Sequence, residues 1–227
     1  SNIIKYTQGK LKQQKLGEDK CYGITESQEL YRFLDNALDH DNDFIALDSE
    51  TSGLYPRDGY MLGISLSYEE EHGAYIDCEC IDEKAEGLLQ QLFDKKRVVF
   101  HNAKFDLAFF EYHFGFKFPR FEDTMLLHYM LDENPGTHGL KQLSLKYTPY
   151  GDYEKGMYEW MDDYCRRNGI LKGSFTWDLI PFDIMKDYAA MDAVCTFLLF
   201  QKFENALVKN DRLYGVYKDI LLPACRF

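Results

Sequence analysis

The 227-residue sequence contains no Cys-x-x-Cys pair, no His-Glu-x-x-His and no Gly-x-x-x-x-Gly-Lys-Ser/Thr loop. Those absences remove the common zinc spacings, the zinc-peptidase helix and the Walker-type phosphate cradle. The six cysteines, Cys21, Cys78, Cys80, Cys165, Cys195 and Cys225, are scattered, so a disulfide framework is not indicated and a reducing compartment fits. No apolar run is long enough to span a bilayer and no charged-then-apolar leader is present, so membrane insertion and secretion are not expected. Positive charge is scarce: 26 Lys and Arg stand against 38 Asp and Glu, a net −12. That balance argues against a sequence-independent duplex binder, which grips phosphates with Lys and Arg. It leaves room for a nucleic-acid enzyme whose metal ions supply local positive charge. Internal repeats, low-complexity tracts and a linker that would split residues 22–210 are also missing.

What is present is an ordinary globular composition, 45% hydrophobic and 28% charged, long enough for one large α/β domain or two small ones. Residues 1–21 are polar and lysine-rich and read as a mobile or loosely docked lead-in. Thr25 and Gln28 read as a capping box before a helix over 26–39. Three strands follow at 44–50, 60–68 and 73–78, joined by short turns as an antiparallel meander. Leu88, Leu89, Leu92 and Phe93 mark a helix, and 97–101 a buried strand. From 103 onward the pattern is helical, with breaks at Pro119, Pro135-Gly136, Gly151 and Gly169–Gly173. Tyr158, Trp160, Met161 and Tyr164 read as core, and the last long helix as running from an Asp183 cap to about Asn210.

Three acidic stretches stand out. Phe44-Ile45-Ala46-Leu47-Asp48-Ser49-Glu50 is an apolar strand ending in two carboxylates on one face. Two such groups without a counter-charge repel, and a hard divalent cation removes the conflict. A solvated strand end is the plainer reading for one such triplet alone. Asn102 closes the next strand, with Asp106 one turn into the following helix; Asn102 also reads as a simple helix cap. Tyr188 and Asp192 share a face of the last helix, where Ala189 and Ala190 keep the surface low so that something can approach. Four carboxylates, Asp48, Glu50, Asp106 and Asp192, converging on one cleft suit two divalent ions about 3.5–4 Å apart, an arrangement for in-line attack on phosphodiesters.

Asp48-Ser49-Glu50, Asn102-x-x-x-Asp106 and Tyr188-x-x-x-Asp192 resemble the DEDD superfamily of 3′→5′ exonucleases, in the subgroup with Tyr in its third motif. Within it, Glu122-Asp123-Thr124-Met125-Leu126, Gly139 to Ser144 and Thr51 to Leu54 look like the proofreading domain of family A (bacterial and phage type) DNA polymerases. The resemblance implies an α/β fold, the ribonuclease H-like mixed sheet flanked by helices of DnaQ-like exonucleases, over residues 22–210. It implies residues 211–227 as the start of a connection to a covalently linked polymerase domain. It implies Mg2+ or Mn2+: one ion on Asp48, Glu50 and Asp192, a second on Asp48 and, through water, Asp106. Tyr188 and Glu50 would orient the attacking water, Asn102 would touch the terminal nucleotide, and Thr51 and Leu54 would grip and wedge the last bases. The expected partner is the 3′ end of single-stranded DNA, and the expected setting a monomer in the cytoplasm of a bacterial or phage-infected cell. An RNase D-like exoribonuclease and a non-catalytic nucleic-acid-binding module of a polymerase are the rival readings.

Overall fold

The computed structural model describes residues 12–226; the earlier part of the expected lead-in, 1–11, lies outside the described residues. The strands are β1 (Cys21–Ile24), β2 (Phe44–Thr51), β3 (Met61–Glu69), β4 (His72–Asp77), β5 (Arg97–Phe100) and β6 (Phe121–Asp123). They form one sheet in the order β1-β4-β3-β2-β5-β6. The β2-β3-β4 meander is antiparallel, while β1 pairs β4, β5 pairs β2 and β6 pairs β5 in parallel. The expected mixed sheet is therefore present, with two strands, β1 and β6, that the sequence pattern did not mark. At four and three residues they are too short to display a period.

Helices cover both sheet faces. α1 (Ser27–Asp39) and α2 (Glu83–Lys95) pack together, with Leu30, Leu34, Leu89, Leu92 and Phe93 fully buried. α3 (Ala103–Phe114), α4 (Thr124–Leu131), α5 (Leu140–Tyr147) and α6 (Lys155–Asn168) follow, and the expected breaks fall between them. α7 (Phe182–Leu207) crosses the sheet. It is buried from Tyr188 to Phe197 without interruption because the strands lie on one side and α4 to α6 on the other. Its approach to β4 is close: a Cβ on Gly73 would sit 2.5 Å from the Ala190 carbonyl oxygen. The small Ala189-Ala190 surface thus admits the neighbouring strand rather than a ligand.

Several local expectations are corrected. α1 begins one residue late, with Glu26 at the N-cap and no side-chain cap bond; Ser27 Oγ instead donates to the Cys80 carbonyl (2.8 Å). The N-cap of α7 is Pro181, and Asp183 sits inside the first turn, where its charge still favours the helix dipole. α7 stops at Leu207 because Asn210 accepts from Leu213 N (3.1 Å) and starts α8 (Asp211–Val216). Tyr158 is exposed, whereas Trp160 and Met161 pack partly buried against the Tyr188 cluster and Tyr164 stacks on Trp160. The described part of the lead-in is docked: Gln14 N donates to the Pro149 carbonyl (2.6 Å) and Leu16 is buried. Beyond α8, a π-helical turn (Tyr217–Leu221) and α9 (Leu222–Ala224) pack on α4 and β6.

Candidate active site

β2 carries Asp48 and Glu50 out on one face, and α7 brings Asp192 to meet them. One carboxylate oxygen from each lies within 4.8 Å of the others. Glu50 and Asp192 are buried and Asp48 half-buried, leaving one side of the group open. The position of Glu50 is set by a bulge. The β2/β3 register slips between Glu50, opposite Gly63, and Thr51, opposite Met61, and such slips re-aim side chains at functional edges. Gly63 has no substitute there, since a Cβ would lie 2.3 Å from the Tyr75 ring.

The electrostatics are those of a site short of positive charge. Burial first, then the Asp106 and Glu50 carboxylates, hold Asp48 well above the usual range. Glu50 is likewise raised, by burial and then Asp192. Glu50 Oε1 is buried with no hydrogen-bond partner among the described residues, a costly state for a carboxylate oxygen. An all-carboxylate donor set with an orphaned oxygen fits a hard divalent cation. Asp106, in the first turn of α3, stands beside the trio but turns to β2, accepting from Ser49 N (3.0 Å) and Ser49 Oγ (2.6 Å). Burial pushes it up to about 7 against those two hydrogen bonds. The structure therefore gathers three of the four expected carboxylates into one group and hydrogen-bonds the fourth to the strand between two of them.

Tyr188 lies one turn before Asp192 and is 8% exposed. Burial, with Asp192 next and Glu50 after it, keeps its hydroxyl protonated far beyond the ordinary phenol range. Two residues absent from the expected site complete it. Lys141 contacts Asp192 Oδ1, and its ammonium lies 4.1 Å from the Tyr188 ring centre. Tyr153 donates to the same Asp192 oxygen and accepts from Lys141 Nζ (3.1 Å). Lys141 is also the charge that opposes the rise at both Asp48 and Glu50. Neither residue has a spacing that signals its place, because each comes from a different helix or turn.

The remaining expected residues lie at the end of β2 and on the segments that follow β2 and β5. Thr51 Oγ1 donates to the Gly53 carbonyl (2.8 Å), shaping the turn from which Leu54 projects 76% exposed. Tyr60 Oη donates to Asp178 (2.9 Å), joining that loop to the one before α7. Asn102 is exposed at the N-cap of α3, in a left-handed conformation with φ 70° and ψ 57° and no side-chain cap bond.

A mixed sheet of this order with helices on its faces, its central strand and crossing helix sharing a carboxylate pocket, is a ribonuclease H-like fold. A family model described as 3′-5′ exonuclease matches residues 21–208, and the chain belongs to that family. It is 49% identical over 191 residues to the DNA polymerase of Escherichia phage T5, covering 81% of this chain and 22% of that protein. With DNA polymerase I of Borreliella burgdorferi the identity is 28% over 187 residues, 79% of this chain and 19% of the other. The chain thus spans about a fifth of the length of these polymerases. Among solved structures, Escherichia coli RNase D aligns with a TM-score of 0.67 at 18% identity, covering 88% of this chain and 48% of that one. Brucella melitensis NrnC with bound Mg2+ aligns at 0.61 and 21%, covering 90% and 89%. At those identities the likeness is one of fold.

Proposed function

We propose that the chain removes nucleoside 5′-monophosphates from the 3′ end of single-stranded or frayed DNA, using two divalent cations, Mg2+ or Mn2+. In this reading it is the proofreading part of a family A polymerase, linked to a polymerase domain, monomeric and cytoplasmic. The observation that carries the reading is the convergence of Asp48, Glu50 and Asp192 within 4.8 Å, with Glu50 Oε1 lacking a hydrogen-bond partner among the described residues.

Asp48, Glu50 and Asp192 would hold one ion, and Asp48 with Asp106 through water the second. The chemistry such ions would supply there is a water made nucleophilic near neutral pH and neutralisation of the charge on the departing 3′-oxygen. Tyr188 keeps its proton, so it orients the attacking water as a donor, with Glu50 as the acceptor. Asn102 contacts the terminal nucleotide, and Thr51 and exposed Leu54 grip and wedge the last bases. A mismatched end frays more readily than a paired one, so selectivity needs no base-specific reading.

Digestion of a 5′-labelled single-stranded oligonucleotide with Mn2+ tests this. The parent shortens it stepwise from the 3′ end, and Asp48→Ala abolishes the ladder while keeping the fold; an Asp48→Ala variant as active as the parent refutes the assignment. The fold likeness to RNase D favours a second reading, an exoribonuclease. DNA and RNA oligonucleotides of one sequence separate the two, since preferential RNA trimming would replace the polymerase reading.

A further inference from the structure

Asp123 ends β6 and occupies the N-cap of α4, where its Oδ1 accepts from Met125 N (2.8 Å) and Leu126 N (3.3 Å). The same carboxylate reaches across to the start of α3. Its Oδ1 also accepts from Asn102 N (3.2 Å), and its Oδ2 accepts from Ala103 N (2.8 Å). One side chain, only 2% exposed, therefore satisfies orphan donors at the starts of two helices. Asn adopts the left-handed region more readily than most residues, but the Asn102 side chain makes no cap bond of its own, so the bonds from its own and the next backbone N–H to Asp123 are what tie the turn down.

Asp123 is itself fixed from beyond residue 208, where the family match ends. Its backbone N–H donates to Tyr217 Oη (3.0 Å), and that hydroxyl donates to Glu122 Oε2 (2.8 Å). Tyr217 is completely buried and opens the π-helical turn, a departure from regular helix that often marks a working position. Lys218 adds a bond to Glu122 Oε1 (2.7 Å), where Arg97 also pairs (3.3 Å).

We propose that Asp123 and Tyr217 are positioning residues for the substrate end of the site. Tyr217 fixes the Asp123 backbone, Asp123 fixes the left-handed turn, and the turn presents Asn102 to the terminal nucleotide. The helical segment 211–224 is thereby part of the support of the active site, and a force on that segment reaches Asn102 through four named hydrogen bonds: Tyr217–Glu122, Asp123–Tyr217, Asn102–Asp123 and Ala103–Asp123. The proposal rests on the exonuclease reading for what Asn102 touches.

Amide hydrogen exchange and steady-state digestion of a single-stranded DNA oligonucleotide with Mn2+, both on the 227-residue chain, test it. In Tyr217→Phe, which loses the hydroxyl's bonds to both Asp123 N and Glu122 Oε2, exchange at Asn102 and Ala103 should accelerate about tenfold relative to amides of α7. KM should rise about tenfold with kcat and Mn2+ affinity nearly unchanged. Asp123→Asn keeps one acceptor oxygen and should raise KM further; it also serves if Tyr217→Phe does not fold. A merely structural role would speed exchange everywhere and leave KM alone. That result, or local exchange that accelerates with KM unmoved, overturns the proposal. A parent chain that cuts no oligonucleotide sinks the exonuclease reading instead, while the exchange comparison still decides whether Tyr217 holds the turn.

Discussion

Lys141 shows what the individual side chains are doing. Its ammonium sits among groups that a divalent ion would claim, meeting Asp192 and lying against the Tyr153 and Tyr188 rings. Removing it leaves the carboxylates with no near counter-charge, so Lys141→Met should lower the melting temperature of the metal-free protein and tighten Mn2+ binding. Calorimetric titration and thermal melts check both, and weaker Mn2+ binding in the variant would show that Lys141 supports the ion rather than standing in for it. His101 carries the pH dependence at this scale. Burial holds it near 3, far under its ordinary value of 6.5, and its Nδ1 pairs with Thr124 Oγ1 (2.7 Å). A histidine depressed on folding costs nothing above its unfolded pKa and destabilises as pH falls below it. Asp48, Glu50 and Asp106, raised on folding, act in the opposite sense, since acid relieves their repulsion. The histidine contribution is isolated by comparison: between pH 7 and 5.5, parent protein should lose about 1 kcal/mol more than His101→Gln, as measured by denaturant unfolding. Equal losses would mean that folding does not depress His101.

At the scale of elements, the geometry of the pocket depends on how closely α7 and β2 can be seated. Gly73→Ala would press a methyl group against the Ala190 carbonyl and should cost about 1–3 kcal/mol of stability, while shifting Asp192 enough to weaken Mn2+ binding. A variant as stable as the parent would show that β4 and α7 have slack there. The elements that announced themselves in the sequence are those with a clear period or an abrupt end to hydrophobicity: β2 through its terminal carboxylates, the meander, α2 and the long α7. Those that did not have physical reasons for silence. β1 and β6 are too short to show a period, and the expected capping box at Thr25 and the expected cap at Asp183 gave way to N-caps at Glu26 and Pro181. Asp123 could be read only as part of a family-like segment, because capping two helices at once is a property of where the chain returns, not of any local spacing.

For the whole molecule, the acidic balance and the acidic pocket belong to one design. With a net charge of −12 the isolated chain should hold single-stranded DNA weakly without divalent ions, and binding followed by anisotropy should strengthen when Ca2+, a non-catalytic hard cation, is added. Binding that ignores Ca2+ would place the DNA away from the carboxylates. Asp48 and Glu50 stood out because they end a patterned strand, Asp106 because it opens a helix, and Tyr188 and Asp192 because they lie one turn apart on one face of a long helix. Their mutual distances were not legible, since these depend on the sheet order and on α7 crossing it. The most direct measurement is anomalous scattering from crystals of the chain soaked in Mn2+. Two peaks about 3.5–4 Å apart are expected, one ligated by Asp48, Glu50 and Asp192 and the other by Asp48 on the Asp106 side. Density at neither position, with Lys141 still bound to Asp192 at saturating Mn2+, would contradict the two-ion reading.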